Sequence, residues 1–151
     1  MKNAGLFYYS AGVFFLITAI AKLISSFGDA RILQSPDPIL GLQFSRLMFG
    51  VGLLELAIAA VCLFSKSQAL QTILVTWLTT SFLAYRLALW WIGWHRPCPC
   101  LGNLTDALHV PPQTADMAMK IILAYLLIGS YATLFYLWRQ RQKTIPVPAP
   151  N

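Results

Sequence analysis

Residues 47–64 have the sequence LMFGVGLLELAIAAVCLF, an apolar run that a single charged residue, Glu55, interrupts. A membrane-spanning helix needs about 20 predominantly apolar residues, and this run approaches that length. Small residues recur along it and permit close packing against another helix; they are Gly50, Gly52, Ala57, Ala59 and Ala60. The segment therefore predicts a helix that crosses a membrane and packs against other helices.

Three further apolar runs, at residues 6–26, 70–94 and 117–138, accompany this segment. Of the 151 residues, 58% are hydrophobic and only 11% are charged, and the mean hydropathy is +0.64. Because an ordinary soluble domain contains about 25% charged residues, the composition excludes that class. The sequence also contains no glycine-rich phosphate loop, nucleic-acid motif or internal repeat.

We therefore predict an all-α fold, an integral membrane bundle of four transmembrane helices. A single domain would comprise residues 1–143 and carry a Cys-Pro-Cys loop on its extracytoplasmic side. Residues 144–151 are rich in proline, and we expect them to form a disordered tail because they have little apolar surface to bury.

The first run also fits a secretory signal peptide, since a basic start and an apolar core precede Ala19-Ile20-Ala21. The apolar stretch continues beyond that possible cleavage site through Leu23 and Ile24. Lys22 also has a suitable partner in Glu55. These features favour a helix that is retained in the mature protein.

The distribution of charges predicts the orientation, because positive residues near helix ends remain cytoplasmic. One set of helix ends carries positive residues alone: Lys2, Lys66, Arg139, Arg141 and Lys143. The other set mixes both signs: Arg31, Arg46, Arg96 and Lys120 with Asp29, Asp37, Asp106 and Asp116. We predict a multi-pass protein of the bacterial inner membrane with both termini in the cytoplasm, and the net charge of +6 reflects this bias.

Three ionisable residues, Lys22, Glu55 and Arg86, fall inside the predicted helices. All three lie in the half of the membrane nearer the extracytoplasmic side. Such residues usually mark a functional site or an ion pair. Two interpretations are open: either Lys22 or Arg86 pairs with Glu55 and only fixes helix packing, or the cluster handles protons.

The third run predicts a polar helix face and an aromatic belt. Residues at helical spacing share one face: Thr72, Thr76, Thr79, Arg86 and Trp90. This face is expected to meet neighbouring helices, because an arginine that faced lipid would be unfavourable. Trp90, Trp91 and Trp94 are typical of an aromatic belt at the membrane interface.

Two further residues carry local predictions. Cys62 lies toward the other end of the second run, and we expect it to be a small apolar core residue. After the helix-stopping pair Pro111-Pro112, Thr114 is expected to cap the fourth helix and Asp116 to lie in its first turn.

The connection after the third run holds the residues with the richest chemistry, in the stretch Trp94-His95-Arg96-Pro97-Cys98-Pro99-Cys100-Leu101-Gly102-Asn103. Its prolines restrict their own φ angles and push the preceding residues toward extended backbone. A disulfide across so small a loop is strained, and strain favours an exchanging bridge over a structural one. The predicted location outside the cytoplasm, where disulfides form and persist, agrees with this interpretation.

These features resemble the methylamine utilisation protein MauE family, itself similar to DoxX-like membrane proteins. The resemblance rests on the four-helix layout, on Gly12 followed by Lys22, and on two motifs: Gly52-Leu53-Leu54-Glu55 and Cys98-Pro99-Cys100-Leu101-Gly102. It covers nearly all of the chain up to Trp138. Pro99 departs from the pattern, because the family is expected to have a smaller residue, often glycine, at that position.

The resemblance implies a role in maturing the disulfide-rich small subunit of methylamine dehydrogenase, together with a thioredoxin-like periplasmic partner. The resemblance implies that Cys98 and Cys100 take part in periplasmic disulfide formation or electron delivery. Pro99 would make the loop stiffer and alter its reduction potential. Nothing in the sequence itself ties this chain to methylamine.

We predict a thiol-disulfide exchange protein, a possible oxidoreductase component, in which Cys98 and Cys100 are the catalytic pair. One cysteine forms a mixed disulfide with a thioredoxin-like protein or a disulfide-containing client, and the other resolves it. His95 and Arg96 support the pair by favouring the thiolate, and Pro99 and Gly102 shape the loop. A membrane quinone near Trp90, Arg86 and Glu55 is a candidate electron acceptor.

Two alternatives are open. The ligand types of His95, Cys98, Cys100 and His109 suit zinc or copper, although one residue between two cysteines is shorter than the usual zinc spacing. Alternatively, the chain is a structural or accessory membrane subunit with an inert disulfide. The lipid bilayer is a partner under every interpretation, and no nucleic acid is expected.

Overall fold

A computed structural model of the chain describes residues 2–27, 35–93 and 111–143. In these ranges the protein consists of α1 (Lys2–Ser26), α2 (Phe44–Phe64), α3 (Gln68–Trp91) and α4 (Pro112–Lys143). Each helix contains a segment long and apolar enough to cross a membrane: Gly5–Ser26, Phe44–Phe64, Gln68–Trp91 and Gln113–Gln140. The predicted all-helical architecture with four long apolar helices is confirmed there, whereas the Cys-Pro-Cys loop and the proline-rich tail lie outside the described residues.

The first two helices form a close antiparallel pair. Gly12 of α1 lies against Cys62 of α2, and Gly52 of α2 lies against Ala19 of α1. A Cβ atom on Gly52 would stand 3.1 Å from Cγ of Leu23 and 3.4 Å from the carbonyl oxygen of Ala19. The absence of a side chain at residue 52 therefore permits the helices to approach this closely.

The other small residues of α2 do not share this role equally. Ala59 is buried in the bundle, as predicted, whereas Gly50, Ala57 and Ala60 are exposed. A Cβ atom on Gly50 would meet nothing within 4 Å. The expectation of close packing is therefore correct for Gly52 and Ala59 and wrong for the other three, because only one face of the helix meets α1.

The contrast between Gly52 and Gly50 makes a matched pair of substitutions. Gly52→Leu should lower the stability of the folded protein by about 1–3 kcal/mol, because the new side chain must displace Leu23 and the backbone of α1. Gly50→Leu adds the same side chain to the same helix in open space and should be tolerated. Thermal unfolding in detergent, followed by size-exclusion chromatography, measures both; equal midpoints for the two variants would contradict the packing described above.

The second pair is formed by α3 and α4, again antiparallel. The hydroxyl groups of Thr80 and Tyr131 lie 3.0 Å apart, and Arg86 lies 3.0 Å from Asp116 farther along. The first and third helices are parallel, since Tyr8 is hydrogen-bonded to Thr72 and the Lys22 ammonium lies near the ring of Phe82.

This topology brings four helix termini together at one end of the bundle, which we call the long-connection end. Here α1 and α3 end and α2 and α4 begin, so the connections at residues 27–43 and 92–111 both start and finish there. The short connection at residues 65–67 lies at the opposite end. The segment that contains Cys98 and Cys100 is thus attached to the long-connection end through α3 and α4.

The apolar core draws on all four helices: Ala11, Phe15, Ile58, Ala59, Cys62, Val75, Leu78 and Leu126. Cys62 is buried among them, as predicted. Beside this core, the side-chain nitrogen of Gln71 donates to the carbonyl oxygens of Cys62 at 3.1 Å and Ser65 at 2.7 Å. Because the last carbonyls of a helix have no partners within it, Gln71 of α3 satisfies the end of α2.

The start of α4 and the end of α3 differ from the predictions. The expectation that Thr114 caps the fourth helix is wrong: α4 begins at Pro112, and the carbonyl of Pro111 accepts hydrogen bonds from Thr114 and Ala115. Proline is tolerated in a first turn because a backbone N–H there would have no helical partner. At the other boundary, α3 ends at Trp91, and Gly93 follows with φ +72°, a conformation that suits glycine and stops a helix.

The polar face of α3 is only partly as expected. Thr72 and Thr79 are buried, but Trp90, near the end of the helix, is exposed. Trp91 is exposed as well, which fits the expected lipid-facing aromatic position. Trp94 lies outside the described residues.

Candidate functional site

The predicted exchange site lies in a part of the chain that the structure leaves undescribed. This applies to the pair and its supporting residues and to the alternative metal ligands: His95, Arg96, Cys98, Pro99, Cys100, Gly102 and His109. The structure does describe the helix ends on either side of this segment and the charged groups beneath them. These groups and the space between them form the candidate site.

Lys22 of α1 and Glu55 of α2 form a buried ion pair. The ammonium of Lys22 donates to Oε1 of Glu55, and the two side chains are 7% and 1% exposed. Of the two ion pairs that the sequence allowed for Glu55, the structure contains this one. Lys22 also lies 5.1 Å from the ring centre of Phe82, so the pair joins three helices.

The second carboxylate oxygen of Glu55 is buried and makes no well-formed hydrogen bond among the described residues, although the hydroxyl of Thr18 lies close to this carboxylate. Buried carboxylate oxygens are normally satisfied, and an exception asks for an explanation such as a catalytic role or an unseen partner. The local sequence, Leu53-Leu54-Glu55-Leu56, supplies no polar neighbour along the chain. Glu55 therefore retains the capacity to accept a further hydrogen bond or a proton.

Arg86 pairs with a different carboxylate from the one considered in the sequence. Its Nη2 lies 3.0 Å from Oδ1 of Asp116, and Lys120 lies 2.7 Å from Oδ2 of the same side chain. The possible Arg86–Glu55 pair is thus absent. Asp116 was expected in the first turn of the fourth helix, which is wrong because the helix begins at Pro112 and has no acidic residue in its first turn. No local pattern indicated that Asp116 would face Arg86.

A third polar contact attaches the connection before α2 to α3. Asp37 is buried, and its Oδ1 accepts hydrogen bonds from the backbone of Ile39 at 2.8 Å and Leu40 at 2.7 Å. Its Oδ2 accepts the hydroxyl of Tyr85. The residue types of Ser35-Pro36-Asp37-Pro38 are typical of a turn, but no local pattern indicates that Asp37 binds Tyr85.

These contacts surround a cavity of about 260 Å³ near the long-connection end, which we call the interhelical cavity. Most of its wall is apolar, with side chains from α2, α3 and α4 that include Met48, Trp77 and Met119. Its polar lining consists of Lys22, Ser81, Tyr85 and Arg86. The cavity thus combines an apolar wall with two cationic side chains and two hydroxyl groups.

The residues named for a quinone are only partly brought together by this arrangement. Arg86 lines the interhelical cavity directly, and Glu55 is connected to it through Lys22. Trp90 follows Arg86 by one helical turn but is exposed and is not part of the lining. Trp77, which sequence analysis did not single out, is the tryptophan at the wall, because it lies on the face of α3 that meets α2 and α4.

Comparison with known proteins identifies a family. A family model described as methylamine utilisation protein MauE matches residues 4–139. The matched segment contains both ion pairs and the Cys98-Pro99-Cys100 motif. No curated protein and no solved structure matches the chain.

Proposed function

The chain belongs to the MauE family, and we propose that it is an accessory membrane protein of methylamine utilisation that exchanges disulfides through Cys98 and Cys100. The observation that carries the proposal is that the family match includes a segment with two thiols separated by one proline. A neighbouring pair of thiols is what disulfide exchange requires, because one sulfur forms the mixed disulfide and the other releases it.

The exchange reaction balances without a further reactant. A thiolate of the partner attacks the Cys98–Cys100 disulfide, so that one new S–S bond forms and the original one breaks. The second thiolate of the partner then attacks the mixed disulfide and leaves with its own disulfide. Cys98 and Cys100 are left as a dithiol, having gained the two electrons that the partner lost. We assign His95 and Arg96 the role of favouring the thiolate of the nearer cysteine.

The location that we propose is the inner membrane of a bacterium, with both termini in the cytoplasm and the Cys-Pro-Cys segment in the periplasm. The uncompensated positive residues at one set of helix ends support this orientation. The topology of the described helices supports it too, because the connections at residues 65–67 and 92–111 lie at opposite ends of the bundle. We propose a thioredoxin-like periplasmic protein or a disulfide-containing client as the partner.

The redox state and location of the pair test this proposal. The Cys62→Ser protein retains two cysteines, Cys98 and Cys100, and the experiment is carried out in cells that express this variant. Acid quenching followed by alkylation should reveal both oxidised and reduced pairs. A membrane-impermeant maleimide should label the reduced pair once the outer membrane is permeabilised, with the inner membrane still closed.

The double variant Cys98→Ser, Cys100→Ser provides the control. Its remaining cysteine is Cys62, and the burial of Cys62 should protect this thiol from the reagent. Labelling of the pair only after the inner membrane is opened would contradict the orientation. A pair that is always reduced and copurifies with stoichiometric zinc or copper would support the metal alternative. A pair that is always oxidised would support an inert disulfide.

A further inference from the structure

We propose that the interhelical cavity binds the head group of a lipid-soluble quinone, which oxidises the Cys98–Cys100 dithiol after each exchange. The inference rests on the proposed function for its electron donor. Its evidence is separate, however, because it comes from the cavity between the described helices.

The position of the cavity selects a lipid-soluble ligand. Its wall is formed mainly by apolar side chains of helix segments that are long and apolar enough to cross a membrane. Two of the lining residues, Leu54 and Trp77, are 37% and 54% exposed, so the cavity reaches the outer surface of the bundle. A ligand that entered from this surface would come from the bilayer.

The size of the cavity selects a small head group. Pockets that enclose a complete drug-sized ligand measure about 300–1,000 Å³, and the interhelical cavity, at about 260 Å³, lies just below that range. A single substituted ring fits such a volume, and its hydrocarbon tail would extend past Leu54 and Trp77 into the lipid. The apolar wall disfavours the large hydrated head group of a phospholipid.

The polar lining matches the two carbonyl oxygens of a quinone ring. Lys22 and Arg86 are hydrogen-bond donors at the cavity wall, whereas the single O–H of Tyr85 is already donated to Asp37. A guanidinium carries five N–H donors and an ammonium three, so the bonds to Asp116 and Glu55 leave donor capacity on both cations. Their positive charges also favour the negative charge that develops on the ring oxygens during reduction.

The redox step balances with a quinone as the oxidant. One S–S bond forms between Cys98 and Cys100, two S–H bonds break, and two O–H bonds form on the ring, so two electrons and two protons are transferred. Arg86 lies about 8 Å along the helix axis from Trp91, the last residue of α3. The cavity is therefore close to the helix end from which the cysteine-bearing connection begins.

The ion pair beside the cavity is suited to handle these protons. Lys22 lines the cavity and donates to Glu55, whose second carboxylate oxygen is buried and makes no well-formed hydrogen bond in the described part of the chain. This oxygen of Glu55 can accept a proton while Lys22 contacts the quinone ring. Proton transfer would explain why the second carboxylate oxygen of Glu55 is buried, which packing alone does not explain.

Photolabelling of the full-length protein in lipid nanodiscs tests the proposal, with an azido-substituted short-chain benzoquinone as the probe. The label should appear in peptides of α2 and α3 that line the cavity, and unlabelled decyl-benzoquinone should compete with it. Met119→Trp fills the cavity and should lower labelling at least tenfold. Met117→Trp, at a lipid-facing position that is 66% exposed, should leave it unchanged.

A double serine variant of Cys98 and Cys100 separates this inference from the proposed function. It should retain full labelling, because the described residues that line the cavity are all unchanged. If the wild-type protein shows no disulfide exchange but is still labelled, the quinone site stands and the exchange reaction is wrong. Equal labelling of the Met119→Trp and Met117→Trp proteins, or competition by phosphatidylglycerol as effective as that by decyl-benzoquinone, would overturn the quinone site.

A second measurement keeps the proposal testable if Met119→Trp fails to fold. Quinones quench nearby tryptophan fluorescence, and Trp77 is at the cavity wall. Decyl-benzoquinone should quench the wild-type protein with a saturable component that Trp77→Phe removes. Quenching that never saturates, or that is the same in both proteins, would count against the site.

Discussion

Glu55→Ala is expected to lose most of the folded protein. The substitution leaves the ammonium of Lys22 buried at 7% side-chain exposure without its carboxylate. Removing one partner of a buried ion pair destabilises a protein by about 3–5 kcal/mol, which is a large fraction of the about 5–15 kcal/mol that holds a typical domain folded. Fluorescence-detected size-exclusion chromatography of detergent extracts, with a heating series, measures the loss.

Two further variants identify the cause. Adding Lys22→Met to Glu55→Ala removes the unpaired charge and should restore part of the yield and melting temperature. Asp116→Ala is the matched comparison: its carboxylate is 21% exposed and its partner Arg86 is 20% exposed, so its loss should have a smaller effect than the loss of the more deeply buried Glu55. If the double variant were no more stable than Glu55→Ala alone, the ion pair would not be what stabilises the three helices.

The Glu55 experiment also separates packing from chemistry. Should Glu55→Gln fold normally but reduce the rate at which a quinone reoxidises the dithiol, the carboxylate acts on protons as well as on packing. Normal folding together with a normal rate would show that the charge of Glu55 is needed neither for packing nor for proton transfer. The neutral amide keeps the size of the side chain, so the comparison isolates its charge.

Loss of either loop cysteine should abolish exchange completely. With Cys98→Ser or Cys100→Ser, the remaining thiolate can attack the disulfide of an oxidised partner, which forms a mixed disulfide and releases one partner thiol, but no neighbouring cysteine is left to resolve the complex. We therefore expect a covalent complex on non-reducing gels that disappears on reduction, and mass spectrometry of that complex identifies the partner. The yield of correctly disulfide-bonded client in the host should fall to background.

Cys62→Ser is the control for both readouts. Cys62 is buried in the core of the bundle, away from the long-connection end, so its substitution should change neither the complex nor the client yield. Full client yield with both single serine variants of the loop would refute disulfide exchange. A complex that also forms when both loop cysteines are replaced would assign the reaction to another thiol.

The candidate site was only partly predictable from the sequence. Lys22, Glu55 and Arg86 stood out because charged residues are rare inside apolar runs, and the structure locates all three near one end of the bundle. Their partners did not follow from that rule. The sequence around Asp116 is typical of a helix start, and the sequence around Asp37 is typical of a turn. Asp116 binds Arg86 and Asp37 binds Tyr85 only because α3 lies beside both segments.

By itself, the sequence determined the number and approximate extent of the long apolar helices, the burial of Cys62 and the family to which the chain belongs. These properties depend on length, apolar character and short motifs, all of which are local in the chain. Only the tertiary structure decided that Glu55 pairs with Lys22, that Arg86 pairs with Asp116, and that a cavity remains between the helices. Such contacts depend on how far each helix is rotated and shifted against its neighbours, and one residue of shift rotates a helix face by about 100°.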